Sequence, residues 1–117
     1  MAEPKLVMPE TDCPTEAALE LIGGKWKGLI LFYLSGETRR FNELMRLVPG
    51  VSQRMLTKQL RELEAGGVIH REVYPVVPPK VEYSLTELGQ ALSPVIKGLE
   101  QWGKLYMAQQ ERSEDES

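Results

Sequence analysis

A stripe of basic side chains occupies one face of the segment "SQRMLTKQLREL", residues 52–63. Its members recur at the spacing of one face of an α-helix, and they are Arg54, Thr57, Lys58 and Arg61. This basic stripe contains no acid, whereas ordinary solvated faces mix charges, often as Glu–Lys pairs four residues apart. Arginine and lysine match the acceptor-rich edge of guanine, and glutamine can pair with adenine. We therefore interpret the stripe, with Ser52 and Gln53 at its exposed N-terminal end, as a surface that reads DNA in the major groove; a merely solvated face is the alternative.

A second group of polar residues lies upstream of this segment, at the start of the short helix predicted at 41–48. Arg39 and Arg40 stand directly before it, and Asn42 stands at its N-terminus. Side chains in this position can hold DNA phosphates where the first helix of a helix-turn-helix crosses the backbone. Surface solubility is the competing explanation for the two arginines.

A proline-rich stretch, "VYPVVPPKVEY", separates two segments that favour β-strands. Proline lacks the N–H that a strand ladder needs, so Pro75, Pro78 and Pro79 are predicted at strand ends or in a projecting loop. Arg71 and Lys80 add positive charge, which suits a narrow minor groove or its flanking phosphates. Protection of a hairpin edge against aggregation is the alternative role of these prolines and of Lys80.

Hydrophobic periodicity and glycine or proline breaks predict the elements that position these residues. Helices are expected at about 14–22, from about 25 to 34, at 41–48, at 52–65 and from about 86 onward, with strands at 68–74 and 80–85. Trp26, Leu29, Ile30 and Tyr33 are expected to form one apolar face, and Ile69 and Val73 to point inward. Pro94 and Gly98 should kink or split the last helix. The helices at 41–48 and 52–65, joined by a tight Pro-Gly turn, form a helix-turn-helix candidate. A hairpin directly after it predicts an α+β, mainly α, winged helix-turn-helix fold.

Charge is distributed unevenly along the 117 residues, which suffice for a single domain. Net charge is −3, yet residues 39–80 hold eight Lys or Arg against four Glu, and the acidic tail 111–117 carries the overall excess. A basic centre is compatible with DNA contact. Residues 1–12 are predicted to be a flexible arm and residues 111–117 a disordered tail. With no signal-peptide pattern, no membrane-length apolar run and one cysteine, a cytoplasmic location is expected.

Three blocks together resemble the HxlR-type winged helix-turn-helix transcriptional regulators: "CPTEAALELIGGKWKGLILFYL", "RRFNELMRLVPGVSQRMLTKQLRELEAGGVI" and "VYPVVPPKVEYSLTELG". The resemblance assigns residues 13–110 to such a domain. It implies a bacterial or archaeal homodimer that binds a pseudo-palindromic operator, with extra N- and C-terminal helices building the dimer. The last helix offers a stripe for this contact at heptad-like spacing: Leu88, Leu92, Val95, Leu99, Trp102 and Tyr106. Repression is expected, as the simplest mechanism for a small domain that occludes a promoter.

The single cysteine, Cys13, stands at the start of the first helix, where some members of this family sense oxidants or electrophiles. A helix N-terminus favours the reactive thiolate, whereas the neighbouring Asp12 and Glu16 disfavour it. Oxidation would give a sulfenic acid or a disulfide between protomers. The alternative is a small apolar residue packed at the dimer interface.

Other function classes find less support in the residues. The sequence shows no Ser-His-Asp set, no glycine-rich phosphate loop and no paired carboxylates in a plausible cleft. An enzyme is therefore not expected. His70 has no partner at metal-ligand spacing, so neither a metal nor another cofactor is expected. Two Trp and two Tyr could line an effector cleft, although their spacing favours ordinary core: Trp26, Tyr33, Trp102 and Tyr106. A winged-helix adaptor that binds proteins instead of DNA remains the alternative function.

Overall fold

The computed structural model describes residues 10–116, which contain five helices and three short strands. The order is α1 (Pro14–Ile22), α2 (Lys27–Leu34), β1 (Arg39–Arg40), α3 (Phe41–Leu47), α4 (Gln53–Ala65), β2 (Ile69–Tyr74), β3 (Lys80–Leu85) and α5 (Glu87–Glu116). This is the predicted mainly helical, winged helix-turn-helix arrangement. Most of the predicted N-terminal arm, residues 1–9, lies outside the described residues.

The turn between α3 and α4 is built from local signals in the sequence. Leu44 and Val48 are buried, and Pro49 and Gly50 then end the helical pattern. Gly50 has a φ of +77°, a backbone conformation in which a Cβ is disfavoured. Ser52 caps α4, because its Oγ accepts a hydrogen bond of 3.0 Å from the Met55 N–H. The predicted start of α4 is thereby confirmed.

The core lies between α2, α3, α4 and the sheet. Ile30, Leu31 and Leu34 of α2 are almost fully buried, while Leu29 is 38 % exposed. The predicted inner face of α2 was therefore wrong by about one position: Trp26 and Tyr33 pack only at its margin. In an eight-residue helix that is apolar along most of its length, periodicity alone does not show which side faces inward.

The three strands form one antiparallel sheet in the order β1-β3-β2. The two-residue β1 went unpredicted, because a strand so short has no alternation to detect. Ile69 is buried, but Val73, expected to point inward, is 49 % exposed. It shares a sheet face with Ile69, so the difference arises because the hairpin extends past the helices that cover its base.

The last helix, α5, continues without a break for 30 residues. Pro94 and Gly98 do not split it, since a proline removes only one N–H donor from a long hydrogen-bond ladder. Of the predicted kink or split, the split is therefore wrong. The predicted disordered tail also differs from the structure, because residues 111–116 belong to this helix. Within residues 10–116, no helix is long and apolar enough to cross a lipid bilayer.

At Gly89, in the first turn of α5, the helix lies so close to the backbone of Val68 that no Cβ would fit. A Cβ added there would lie 2.1 Å from the backbone oxygen of Val68 and 3.2 Å from the Leu85 Cβ. We expect Gly89→Ala to lower the free energy of unfolding by roughly 1–3 kcal/mol, since backbone must shift to relieve the overlap. Urea unfolding measures this change. Gln90→Ala, at the exposed neighbouring position, is the control, and an equal loss in both variants would contradict the explanation.

Candidate nucleic-acid interface

Helix α4 divides sharply into a buried and an exposed side. Leu56, Leu60 and Leu63 are at most 2 % exposed and fix the helix on the core. The opposite side forms one open, concave surface, lined by Ser52, Gln53, Arg54, Met55, Thr57, Lys58, Arg61 and Glu62. The structure therefore brings together the six residues of this helix region that the sequence predicts to face DNA.

The cations of the basic stripe are available to a ligand. Arg54, Lys58 and Arg61 are exposed, and no ion pair or hydrogen bond with another described residue engages their side chains. The Thr57 hydroxyl instead donates to the Gln53 backbone oxygen at 2.9 Å, within the same helix. Three unpaired positive charges on one helical face can attract phosphate and donate to base edges.

A polar contact that sequence analysis missed ties α4 to α2. The Lys27 ammonium donates to the Gln59 Oε1 at 2.8 Å and forms an ion pair with the Glu62 Oε2 at 2.6 Å. Glu62 is thus neutralised where it would otherwise oppose the charge of Arg61. The pair joins residues 35 positions apart, so no local pattern could reveal it.

The two arginines before α3 have different environments. Arg39 donates from Nε to the Tyr33 backbone oxygen at 2.7 Å, and its guanidinium pairs with Glu37 at 2.8 Å and with Glu43 at 3.6 Å. Arg40 is exposed on the opposite face of the sheet, and Asn42 is exposed in the first turn of α3. The geometry therefore favours a structural role for Arg39 and leaves Arg40 and Asn42 open to phosphate.

The wing, defined here as β2, β3 and the connecting residues 75–79, carries its two predicted cations on opposite faces. Residues paired directly across antiparallel strands share a face, and Arg71 pairs with Tyr83 whereas Lys80 pairs with Tyr74. Tyr83 is buried against the core. Arg71 therefore lies on the face that turns toward the helices, and Lys80 lies on the outer face.

Lys80 is engaged on that outer face. Its Nζ lies 3.3 Å from the Glu82 Oε1 and 4.8 Å from the centre of the Tyr74 ring. A hydrogen bond to Glu82, and then the negative charge of that carboxylate, raise the pKa of Tyr74 above its ordinary value. The lysine, the tyrosine and the glutamate thus form a small cluster along the strands, and the Lys80 ammonium is engaged within this cluster.

The tip of the wing is apolar. Val77 is 99 % exposed and Val76 is 52 % exposed, between Pro75 on one side and Pro78 and Pro79 on the other. The Val76 N–H donates to the Tyr74 backbone oxygen at 2.9 Å, which turns the chain at the end of β2. The prolines lie in this loop, as predicted.

The stripe predicted on the last helix, the α5 stripe (Leu88, Leu92, Val95, Leu99, Trp102 and Tyr106), is largely exposed. Of its members only Leu92 packs against the core. Trp102 is 62 % exposed, and its ring stacks on the Tyr106 ring with centroids 5.3 Å apart and planes 13° from parallel. Leu88 and Leu92 also line an apolar groove between α1, the end of α4 and the start of α5. Trp26 and Tyr33, the other two aromatics considered for an effector cleft, pack at the core margin instead.

Cys13 is exposed at the N-cap of α1, where its N–H donates to the Thr11 Oγ1 at 3.1 Å. His70 lies on the outer face of the wing with a ring nitrogen 2.7 Å from the Glu72 Oε2. In the part of the chain that the structure describes, no three His, Cys, Asp or Glu side chains are grouped to hold a metal ion.

Comparison with known proteins gives consistent matches over most of the chain. The model of the HxlR-like helix-turn-helix family matches residues 21–111. The HTH-type transcriptional regulator YdeP of Bacillus subtilis is 61 % identical over 94 residues, which are 80 % of this chain and 73 % of that protein. YybR of the same organism, also an HTH-type transcriptional regulator, is 52 % identical over 105 residues, 89 % of this chain and 84 % of that protein.

Solved structures show the same architecture. The redox regulator HypR in its reduced form is 51 % identical to this chain, with a TM-score of 0.81 over 86 % of this chain and 99 % of HypR. Its oxidised form is 55 % identical, with a TM-score of 0.75 over 79 % of this chain and 95 % of HypR. The winged-helix architecture and the regulator class are therefore shared.

Proposed function

This chain belongs to the HxlR-like helix-turn-helix family of transcriptional regulators, and from that premise we propose that it represses transcription as a homodimer bound to a pseudo-palindromic operator. In this proposal α4 enters the major groove. Arg54, Lys58, Arg61 and Gln53 reach base edges or phosphates, with Ser52 and Thr57 beside them. Arg40 and Asn42 contact the phosphate backbone of the DNA, and Arg71 supplies positive charge on the wing. Arg39 and Lys80 stabilise the elements that carry them. Such a regulator works in the cytoplasm, where bacterial and archaeal DNA lies.

One observation carries the DNA-binding proposal: the cations of α4 are exposed on one face with no partner among residues 10–116, while Glu62, the acid next to Arg61, is bound to Lys27. An adaptor that binds proteins would instead present an apolar or acid-bearing face at this position. The relatives are described as transcriptional regulators, a role that requires no catalysis.

The test is a mobility-shift titration with the DNA upstream of the gene that encodes the protein, over a range of salt concentrations. Binding through phosphates releases counterions, so the logarithm of the association constant should fall with the logarithm of salt, by about 0.9 for each phosphate contact. A sequence-specific, salt-sensitive shift supports the proposal. Absence of any specific shift at low salt would favour the adaptor.

The dimer in this proposal forms through the α5 stripe. A row of exposed Leu, Val, Trp and Tyr at heptad-like spacing suits packing against the same row of a second copy. Two α4 helices related by a two-fold axis would then meet successive major grooves, about 34–36 Å apart.

A redox response through Cys13 is a second proposal, favoured by the likeness to HypR, a redox regulator. A peroxide would oxidise the Cys13 thiolate to a sulfenic acid and leave as an alcohol or as water. Condensation with the Cys13 thiol of the second copy would then form a disulfide and release water. No other cysteine exists in the chain.

We expect peroxide treatment to change operator affinity in the wild type and to leave Cys13→Ser unchanged. Mobility shifts before and after treatment measure the response, and a non-reducing gel distinguishes the disulfide from the sulfenic acid. Equal behaviour of wild type and Cys13→Ser would assign Cys13 a packing role only.

A further inference from the structure

The tip of the wing offers DNA no charge. Residues 75–79 are three prolines and two valines, and Val77 is almost completely exposed. The cation nearest in sequence, Lys80, is drawn back along β3 by Glu82 and Tyr74, and Arg71 lies farther down on the other face. Contact through this tip must therefore be apolar.

The wing is attached firmly to the end of α4. Only Gly66, Gly67 and Val68 separate the helix from β2, and the Val68 N–H donates to the Leu63 backbone oxygen at 3.2 Å. Val68 and Ile69 are buried in the same core as Leu63. When α4 lies in a major groove, this short connection carries the tip alongside the duplex, where the adjacent minor groove is the next concave surface.

An apolar side chain in a minor groove discriminates against base pairs that present a hydrogen-bond donor, because it cannot accept a hydrogen bond from that donor. A·T and G·C pairs both present acceptors there, but only G·C adds the exocyclic amino donor of guanine. A valine pressed against that donor leaves it desolvated and without a partner, which is costly. Apolar wedges also favour steps that unstack easily, such as TA and CA.

We propose that Val77, supported by Val76, is a specificity-determining residue that selects A·T pairs in the minor groove flanking each half-site, and that Lys80 takes no part in this selection. The inference rests on the proposed function and deepens it. It assigns the selection of base pairs to an uncharged loop, whereas an argument from charge alone would assign it to Lys80.

The test uses a site selected from random duplexes by the full-length wild-type protein, with hydroxyl-radical footprinting to find protected minor-groove positions outside the half-sites. A·T pairs there are replaced by G·C or by inosine·C, which lacks the guanine amino group and so keeps the minor-groove pattern of A·T. We expect G·C to weaken wild-type binding at least about fivefold and inosine·C to leave it unchanged.

Val77→Ala should lose this discrimination, and Val77→Asp should weaken binding to every duplex. Lys80→Ala, the matched control, should retain the discrimination. The nearly full exposure of Val77 means that thermal unfolding should be unchanged in both Val77 variants. Unchanged discrimination in Val77→Ala overturns the inference, and undiminished DNA binding by Val77→Asp assigns the tip to another protein instead. Failure of the wild type to select any duplex would overturn the proposed function itself and the inference with it.

Discussion

Arg54→Ala/Lys58→Ala is expected to bind the operator roughly 30-fold to 10⁴-fold more weakly than the wild type. Each of these side chains is exposed on α4 and free of partners among the described residues. A lysine or arginine contact to a base contributes about 1–3 kcal/mol, and one to a phosphate adds about one unit to the salt slope. A mobility-shift or fluorescence-anisotropy titration at several salt concentrations measures both quantities.

The control for this variant is Lys97→Ala/Lys104→Ala, which removes the same charge from exposed positions on α5. It should bind with nearly wild-type affinity and salt slope. A matching loss in both variants would mean that only net charge matters. An unaffected Arg54→Ala/Lys58→Ala protein, with its thermal unfolding unchanged, would place the DNA interface elsewhere on the molecule.

Trp102→Glu is expected to convert the proposed dimer to a monomer at micromolar concentration. Tryptophans at the centre of an interface commonly contribute about 2–4 kcal/mol, which corresponds to roughly 30- to 700-fold in the dissociation constant of the dimer. The substitution also places a charge within an apolar row and removes the stacking on Tyr106. Light scattering coupled to size-exclusion chromatography gives the mass, and operator affinity should fall as the second half-site is lost.

Gln101→Glu is the matched control, since it introduces the same charge at the preceding exposed position, outside the α5 stripe. It should remain a dimer. Dimerisation by Trp102→Glu, or full operator affinity of a monomeric wild type, would contradict the proposed role of α5.

The sequence predicted most of α4, the proposed DNA-reading helix, because its signals are local. Ser52 as a cap, glycines at the turns and leucines at helical spacing each act within a few residues of themselves. The family resemblance added the dimer and the operator, which the spacing of the residues does not itself establish.

What escaped prediction depends on how side chains meet in three dimensions. Lys27 pairs with Glu62, which is 35 positions away in the sequence. The partners of Arg39 and the Glu82 partner of Lys80 are close in sequence, but these pairs, like the contact of Lys80 with Tyr74 on the neighbouring strand, depend on the local backbone geometry. A count of positive charges treats the cations alike, whereas the structure separates those with partners from those without. The sequence therefore identified the candidate DNA-contacting residues, and the structure separates those whose charges are paired from those that have no partner among the described residues.

The exposure of the α5 stripe has a consequence for how such a regulator would respond to its own abundance. A helix of 30 residues is about 45 Å long, and in the proposed dimer its exposed apolar row is covered by a second chain. Pairing is bimolecular, so the stability of α5 and the fraction of paired chains both rise with protein concentration. Below the dissociation constant of the dimer, the concentration of paired chains would vary with the square of the total, so a twofold change in expression would become a fourfold change in DNA-binding species.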